Sequence, residues 1–329
     1  MTEIPGSLTA ASPFGGQDRA WAAKARAAAA AFWVRAFFMA AEHAPGAVMA
    51  ARGALCRGAF RCSNSLRRGT RANSRRVLGP GASARQVDAL ARQILSSFYL
   101  ACCDIGRSFS ASREQLFARV EAIEGDEHYQ AARAAGKGLI VVTAHMGSFE
   151  VGMAALRDRE RAKIHVVFRR DPFERFERLR SGLRRRLGVE EAPVDDGWTV
   201  WMRLRDALLA DEVIVLQGDR VMPGQKGEPV PFLGGTIRLP AGPVKMALAT
   251  GAPILPIFSV RTRDGKVRLF VEPAIRVEPV DAGASATGTA RPHPALLEWA
   301  AVLERYVRAY PDQWLMIQPA LCEDVEASR

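Results

Sequence analysis

Short apolar runs, each separated from the next by a stretch of helical periodicity, constrain this chain more than any other feature. Residues 138–143 (GLIVVT), 164–168 (IHVVF), 213–216 (VIVL), 254–260 and 267–271 are rich in aliphatic residues. Runs of this kind, bounded by polar and turn residues, fit strands buried on both faces. The stretches between them supply helices, predicted over 149–159, 173–187, 199–209 and 243–250, with a last one over 295–310. Apolar strands alternating with helices predict an α/β fold, a central mostly parallel or mixed sheet flanked by helices. With 329 residues, 48% of them hydrophobic, the chain can bury a core of that size.

The first 78 residues have a different texture. Residues 1–20 are polar and contain Gly, Pro and Ser, so a loose start is expected. Residues 27–41 (AAAAAFWVRAFFMAA) are apolar except for Arg35. A bilayer span takes about 20 apolar residues, so this run is too short to cross comfortably. It can lie in a membrane interface, inserting Phe32, Trp33, Phe37 and Phe38, or pack on the core as an ordinary helix. Residues 52–76 then carry eight arginines and no acid. With a net charge of +11, this points to an anionic partner: a membrane surface, a nucleic acid or an acidic substrate. No zinc finger, RNP sequence or heptad-linked basic region is present, so no specific nucleic acid is expected. A basic nucleic-acid-binding protein stays as the alternative of another class.

A Gly79-Pro80-Gly81 turn closes the basic region, and Ser83 caps a long helix. Val87, Leu90, Ile94 and Phe98 recur at helical spacing, running to about residue 105, and a short helix fits 113–123. The chain divides into a loose start (1–20), a helical basic segment (21–78), an α/β domain (79–320) and a surface tail (321–329). No cleavable signal peptide is visible. The five cysteines are odd in number and fit no zinc spacing, so free thiols in a reducing compartment are expected, with no metal site.

The chemistry concentrates in residues 136–152, GKGLIVVTAHMGSFEVG. His145 follows the end of a buried strand, and the carboxyl ends of strands are where open α/β sheets bind ligands. Gly147 permits a sharp turn, Ser148 is placed to cap the next helix, and Glu150 falls in its first turn. On one continuous helix, residues five apart diverge by about 140°. His145 and Glu150 meet only if the histidine precedes the helix and the acid folds back. The carboxylate would then fix the imidazole tautomer, leaving the other ring nitrogen to take a proton from a substrate hydroxyl. Asp219, which ends another buried strand on the same sheet edge, can position a hydroxyl, hold Arg220 or brace its own loop.

This constellation resembles the bacterial lipid A late acyltransferases, the lauroyl/myristoyl branch of the lysophospholipid acyltransferase superfamily, which includes the phosphatidylinositol mannoside acyltransferases. Those proteins carry His, four residues, then Asp or Glu, often with Gly-Asn-Trp-Glu where this chain has Gly147-Ser148-Phe149-Glu150. The resemblance extends upstream to Arg71-Ala72-Asn73 and to the stretch from Gly125 to Gly136. Downstream it takes in Leu216-Gln217-Gly218-Asp219-Arg220 and Gly227-Glu228-Pro229-Val230-Pro231-Phe232-Leu233-Gly234. It continues through Leu239-Pro240-Ala241-Gly242-Pro243 and Leu248-Ala249-Thr250-Gly251-Ala252-Pro253. It covers roughly residues 71–319 and implies a lysophospholipid-acyltransferase-like fold with an N-terminal helical membrane-docking segment.

The resemblance implies His145 and Glu150 as the catalytic pair. It also implies a substrate-binding arginine after the second strand, assigned to Arg184 with Arg180 and Arg169 as rivals. Asp219, Arg220, Glu228, Gly147 and Ser148 complete the candidate substrate contacts. The implied activity moves a fatty acyl chain from acyl-carrier protein or coenzyme A to a hydroxyl or amine of a membrane lipid. The acceptor is a lipid A-type glycolipid or, alternatively, a lysophospholipid or aminolipid. No cofactor is needed beyond that thioester co-substrate. The implied place of work is the cytoplasmic face of the inner membrane, held peripherally or monotopically on its anionic surface.

Overall fold

In the computed structural model, residues 32, 34–171, 174–222, 225–279 and 291–327 are described. Four helices lead: α1 (34–43), α2 (Pro45–Cys62), α3 (Asn64–Leu78) and α4 (Ala84–Ser108). Helix α4 starts where Ser83 and Gln86 form a reciprocal capping box, satisfying two N–H groups that the first turn would otherwise leave unpaired. Its apolar stripe of Val87, Leu90, Ala91, Ile94 and Leu95 is buried, and α2 and α3 pack on it. Although rich in arginine, α3 is anchored to the body. Asn73 Nδ2 donates to the carbonyls of Met316 and Gln318, both at 2.8 Å, and its Oδ1 accepts from Ala320 N–H. No helix among the described residues is long and apolar enough to cross a membrane.

The sheet has seven strands: β1 (Val120–Glu124), β2 (Leu139–Thr143), β3 (Ile164–Phe168), β4 (Glu190–Pro193), β5 (Val213–Gln217), β8 (Ile254–Arg261) and β9 (Val267–Val271). Their spatial order is β1-β9-β8-β2-β5-β3-β4. Every neighbouring pair is parallel except β8 and β9, so the sheet is mixed and mostly parallel. A separate antiparallel hairpin joins β6 (Gly227–Phe232) to β7 (Gly235–Pro240). Both residues of its tight turn, Leu233 and Gly234, have positive φ, the backbone that matches the twist of a two-residue hairpin.

Strand β2 lies in mid-sheet and is buried throughout. Its side chains alternate between two cores, as a two-residue period requires. Leu139 and Val141 pack with Val151 and Ala154 of α7 (Phe149–Arg159), Tyr129 of α6 (Asp126–Arg133) and Leu183 of α8 (Glu174–Arg186). Ile140 and Val142 pack with Leu204 of α9 (Trp198–Leu209), Val244 of α10 (Gly242–Thr250) and Leu303 of α11 (Pro294–Ala309). Each such aliphatic side chain contributes about 1.5–3 kcal/mol by leaving water.

Three departures from the sequence reading concern the sheet's margins. The helix expected over 113–123 stops as α5 (Arg113–Phe117), and its last residues form β1, pairing in parallel with β9. Strand β4 and the β6–β7 hairpin had no strand prediction. Residues 321–327, expected as a surface tail, begin with the fully buried Leu321 and continue as α12 (Cys322–Glu326), which Arg76 holds through Asp324 at 2.9 Å.

Candidate active site

Strands β2 and β5 pair in register, Thr143 opposite Gln217. The ladder runs one step further, with Gly218 N–H donating to Thr143 O at 2.8 Å. His145 lies two residues beyond Thr143, and Asp219 lies two beyond Gln217. Equal offsets from a paired position bring them together at the carboxyl edge of the sheet. The Asp219 carboxylate grips the histidine twice: Oδ1 is 2.7 Å from the ring Nδ1, and Oδ2 accepts the His145 backbone N–H at 3.0 Å. The Trp314 indole N–H adds a third bond to Oδ2 at 3.1 Å. Asp219 is wholly buried, whereas the His145 side chain keeps 23% of its surface in solvent.

Burial alone would raise the Asp219 carboxyl. The charge and hydrogen bonds of His145, with the Trp314 bond, outweigh it and hold the group below its ordinary value. An ionised carboxylate only accepts, so Nδ1 carries the ring proton and donates it. Nε2 is thereby left as the basic nitrogen, on a ring that still reaches solvent.

The turn carrying His145 is clamped from its other side by β8. Ser259 Oγ donates to Met146 O at 2.8 Å and accepts from Ser148 N–H at 3.2 Å. Gly147 has φ +59°, and a Cβ there would lie 2.2 Å from the Ser259 carbonyl, so only glycine fits. The C-terminal stretch bonds the same turn: Leu315 N–H donates to His145 O at 2.8 Å, and Met146 bridges to Trp314. Ser148 begins α7 as its N-cap, but its side chain makes no capping bond, and its buried Oγ has no partner.

Glu150 corrects the pairing expected from sequence. The acid bonded to the imidazole is Asp219, and no hydrogen bond joins His145 to Glu150. The histidine does precede the helix, but the neighbouring strand delivers a carboxylate before Glu150 could fold back. Glu150 is buried in the first turn of α7. Burial raises its carboxyl above the ordinary range, against the opposing pull of Arg180, its own N–H, Arg119 and Arg184.

Arg184, the first choice for substrate contact, is sealed. Its Nη1 bonds Glu177 and Glu191, each at 2.7 Å, and its guanidinium lies 3.5 Å over the Phe168 ring. Its Nη2 is buried without a hydrogen-bond partner, so burial, and not a full set of partners, keeps the guanidinium from a substrate in solution. Arg169 lies 3.4 Å from Asp195 at the surface. Arg180 is half-buried, with its guanidinium 5.9 Å above the Phe176 ring and its charge felt by Glu150. Arg220 is exposed directly after Asp219, and Glu228 is half-buried at the start of β6.

Ser259 and Trp314 were not singled out in the sequence. Both act on the His145 loop through contacts more than 90 positions distant along the chain. Trp314 had one signal, an indole whose N–H needs a partner when buried. The five cysteines are free. Burial pushes Cys102 up to about 12 and Cys103 up to about 11, so neither is a thiolate nucleophile at neutral pH. Among the described residues no cluster of His, Cys, Asp and Glu is arranged to hold a metal ion.

A histidine held by a buried carboxylate at the exit of a parallel sheet is the equipment of a general base. The chain matches the sequence profile of the family described as bacterial lipid A biosynthesis acyltransferase over residues 20–322. It belongs to that family and is an acyltransferase of lipid biosynthesis. Among curated proteins it is similar to phosphatidylinositol mannoside acyltransferase of Mycobacterium tuberculosis, 28% identical over 265 residues, covering 79% of this chain and 78% of that protein. The protein of the same name from Mycolicibacterium smegmatis is 28% identical over 260 residues, covering 79% of this chain and 81% of the relative.

Proposed function

We propose that this protein transfers a fatty acyl chain from the thioester of acyl-carrier protein or coenzyme A to a hydroxyl of a membrane glycolipid, with His145 as general base. The observation that carries the reading is the 2.7 Å bond from the buried Asp219 to His145 Nδ1, which leaves Nε2 basic on a ring that reaches solvent. The acceptor oxygen attacks the thioester carbonyl carbon while its proton passes to Nε2. The imidazolium so formed is stabilised by Asp219. Collapse of the tetrahedral intermediate breaks the carbon–sulfur bond, and the departing thiolate takes the proton from Nε2. Base and acid are one residue, so the cycle closes without net proton change.

The family and the names of its relatives support a glycolipid acceptor, and the thioester donor rests on the resemblance drawn from sequence. Glu150 serves as a buried counter-charge to Arg119, Arg180 and Arg184, setting the start of α7 behind the reacting groups. The enzyme works on the cytoplasmic face of the membrane, held there peripherally by its N-terminal helices. On these helices Phe32, Met39, Met49 and Leu55 are exposed. Lipid mass spectrometry of cells expressing the wild type or His145→Ala tests the reading. One acylated lipid is expected to vanish in the mutant while the protein remains folded. Identical lipid profiles would refute the assignment.

A further inference from the structure

Beside the His145 loop lies a cavity of about 650 Å³, within the range of about 300–1,000 Å³ that small-molecule sites occupy. Gly147 and Leu315 form part of its wall, and Leu315 is the residue bonded to the His145 carbonyl. The rest of the wall comes from α2, α4, the turn between α5 and β1, the end of β8 with the loop to β9, and residues 312–313. It brings together six cations: Arg52, Arg107, Arg119, Arg261, Arg263 and Lys266.

The carboxylates present do not balance them. Asp104 is buried and serves both Arg119, at 3.0 Å, and Arg261. Two largely buried guanidiniums thus share one carboxylate, and burial lowers the pKa of both. Asp312 accepts from Ser97, and Asp264 accepts from Thr262. Arg52, Arg107 and Arg263 make no ion pair among the described residues. Arg107 and Arg263 are exposed and Arg52 is half-buried, so these guanidiniums are open to a ligand, and a phosphate suits them because its oxygens match the guanidinium fork.

We propose that this cavity binds a phosphate group of a substrate and thereby sets the reacting end of that molecule against His145. The inference rests on the reading of the protein as an acyltransferase and deepens it. A phosphate could come from either substrate, through the phosphate of a pantetheine-bearing thioester or the phosphodiester of a lipid acceptor. Both present the same chemistry to the arginines.

The test uses the purified full chain and two soluble probes, coenzyme A and dihexanoyl phosphatidylinositol, titrated calorimetrically at low and high salt. The double variant Arg107→Gln/Arg263→Gln removes two exposed guanidiniums. At least one probe is expected to bind the wild type, more weakly as salt rises, and to lose about tenfold or more in affinity in the variant. Loss confined to coenzyme A assigns the cavity to the donor, loss confined to the lipid assigns it to the acceptor, and loss of both makes it a shared phosphate seat. If the wild type binds neither probe, or the double variant keeps both affinities, the proposal is overturned. Arg52→Gln is read in the same way if the double variant melts early. His145→Ala separates the two readings, since it is expected to keep probe binding and lose acyl transfer. Transfer that survives in His145→Ala sinks the catalytic assignment and leaves the phosphate cavity standing.

Discussion

Asp219→Asn tests what the carboxylate at the sheet edge does for His145, two residues beyond β2. The amide keeps the size of the side chain but can present its NH₂ to Nδ1, which reverses the ring tautomer. Nε2 would then hold the proton it must accept. A fall in kcat of about 10²–10⁴-fold is expected, while circular dichroism still shows the α/β fold, because general-base catalysis contributes on that scale. Glu150 calls for a different measurement. Its folded pKa lies above the unfolded value, so its contribution to stability is fully present below about 4.5 and is lost as pH rises through the folded pKa. Glu150→Gln has no such titration. Its melting temperature is therefore expected to gain on that of the wild type as pH is raised from acid to neutral. A difference that stays flat with pH would show that the arginines around Glu150 fully offset its burial. Asp219 has the opposite sign. Its lowered pKa stabilises the fold at neutral pH, and that stability is lost as pH falls below about 4.

At the scale of elements, the site depends on a turn held between two strands. Ser259 on β8 bonds the backbone on both sides of Gly147, and Gly147 has no room for a side chain. Ser259→Ala leaves a buried N–H and a buried carbonyl without their partner, a loss of about 1–3 kcal/mol. Gly147→Ala forces a methyl into the Ser259 carbonyl at positive φ. It is expected to abolish acyl transfer while circular dichroism still shows the α/β fold. An active Gly147→Ala enzyme would mean that the turn tolerates a different path. The same elements show what could be read from sequence. Strands β2, β3, β5, β8 and β9 were legible because burial makes their runs apolar. The rim strands carry acids or prolines, as in VEAIE for β1, EEAP for β4 and GEPVPF for β6, and their pairing is a tertiary fact. His145 was legible from its place after a strand. Its partner was not, because joining it to Asp219 requires knowing that β5 lies next to β2. Local spacing offered Glu150, the nearer acid along the chain.

Over the whole molecule, unbalanced charge and exposed apolar side chains meet on helix α2, which carries Arg52 as well as Met49 and Leu55. Helix α2 reaches from the phosphate cavity, which Met49 and Arg52 line, to the surface where Leu55 is exposed. A membrane touching Met49 and Leu55 would therefore meet the same helix that walls the space beside His145, and an acceptor could enter without crossing bulk water. The +11 net charge adds attraction to an anionic surface, about 1 kcal/mol for each basic residue brought close, and salt screens that attraction. Vesicles of phosphatidylglycerol are expected to bind the protein more tightly than vesicles of phosphatidylcholine, with the difference shrinking as salt rises. Met39→Glu/Leu55→Glu, at two exposed positions outside the cavity wall, is expected to weaken vesicle binding and to raise the apparent KM for a membrane-embedded acceptor, while leaving intact the reaction with a soluble short-chain acceptor. That split matters, because a substitution that merely disturbed the fold would depress both reactions together. Unaltered vesicle binding in the double variant would place the membrane contact on another face of the molecule.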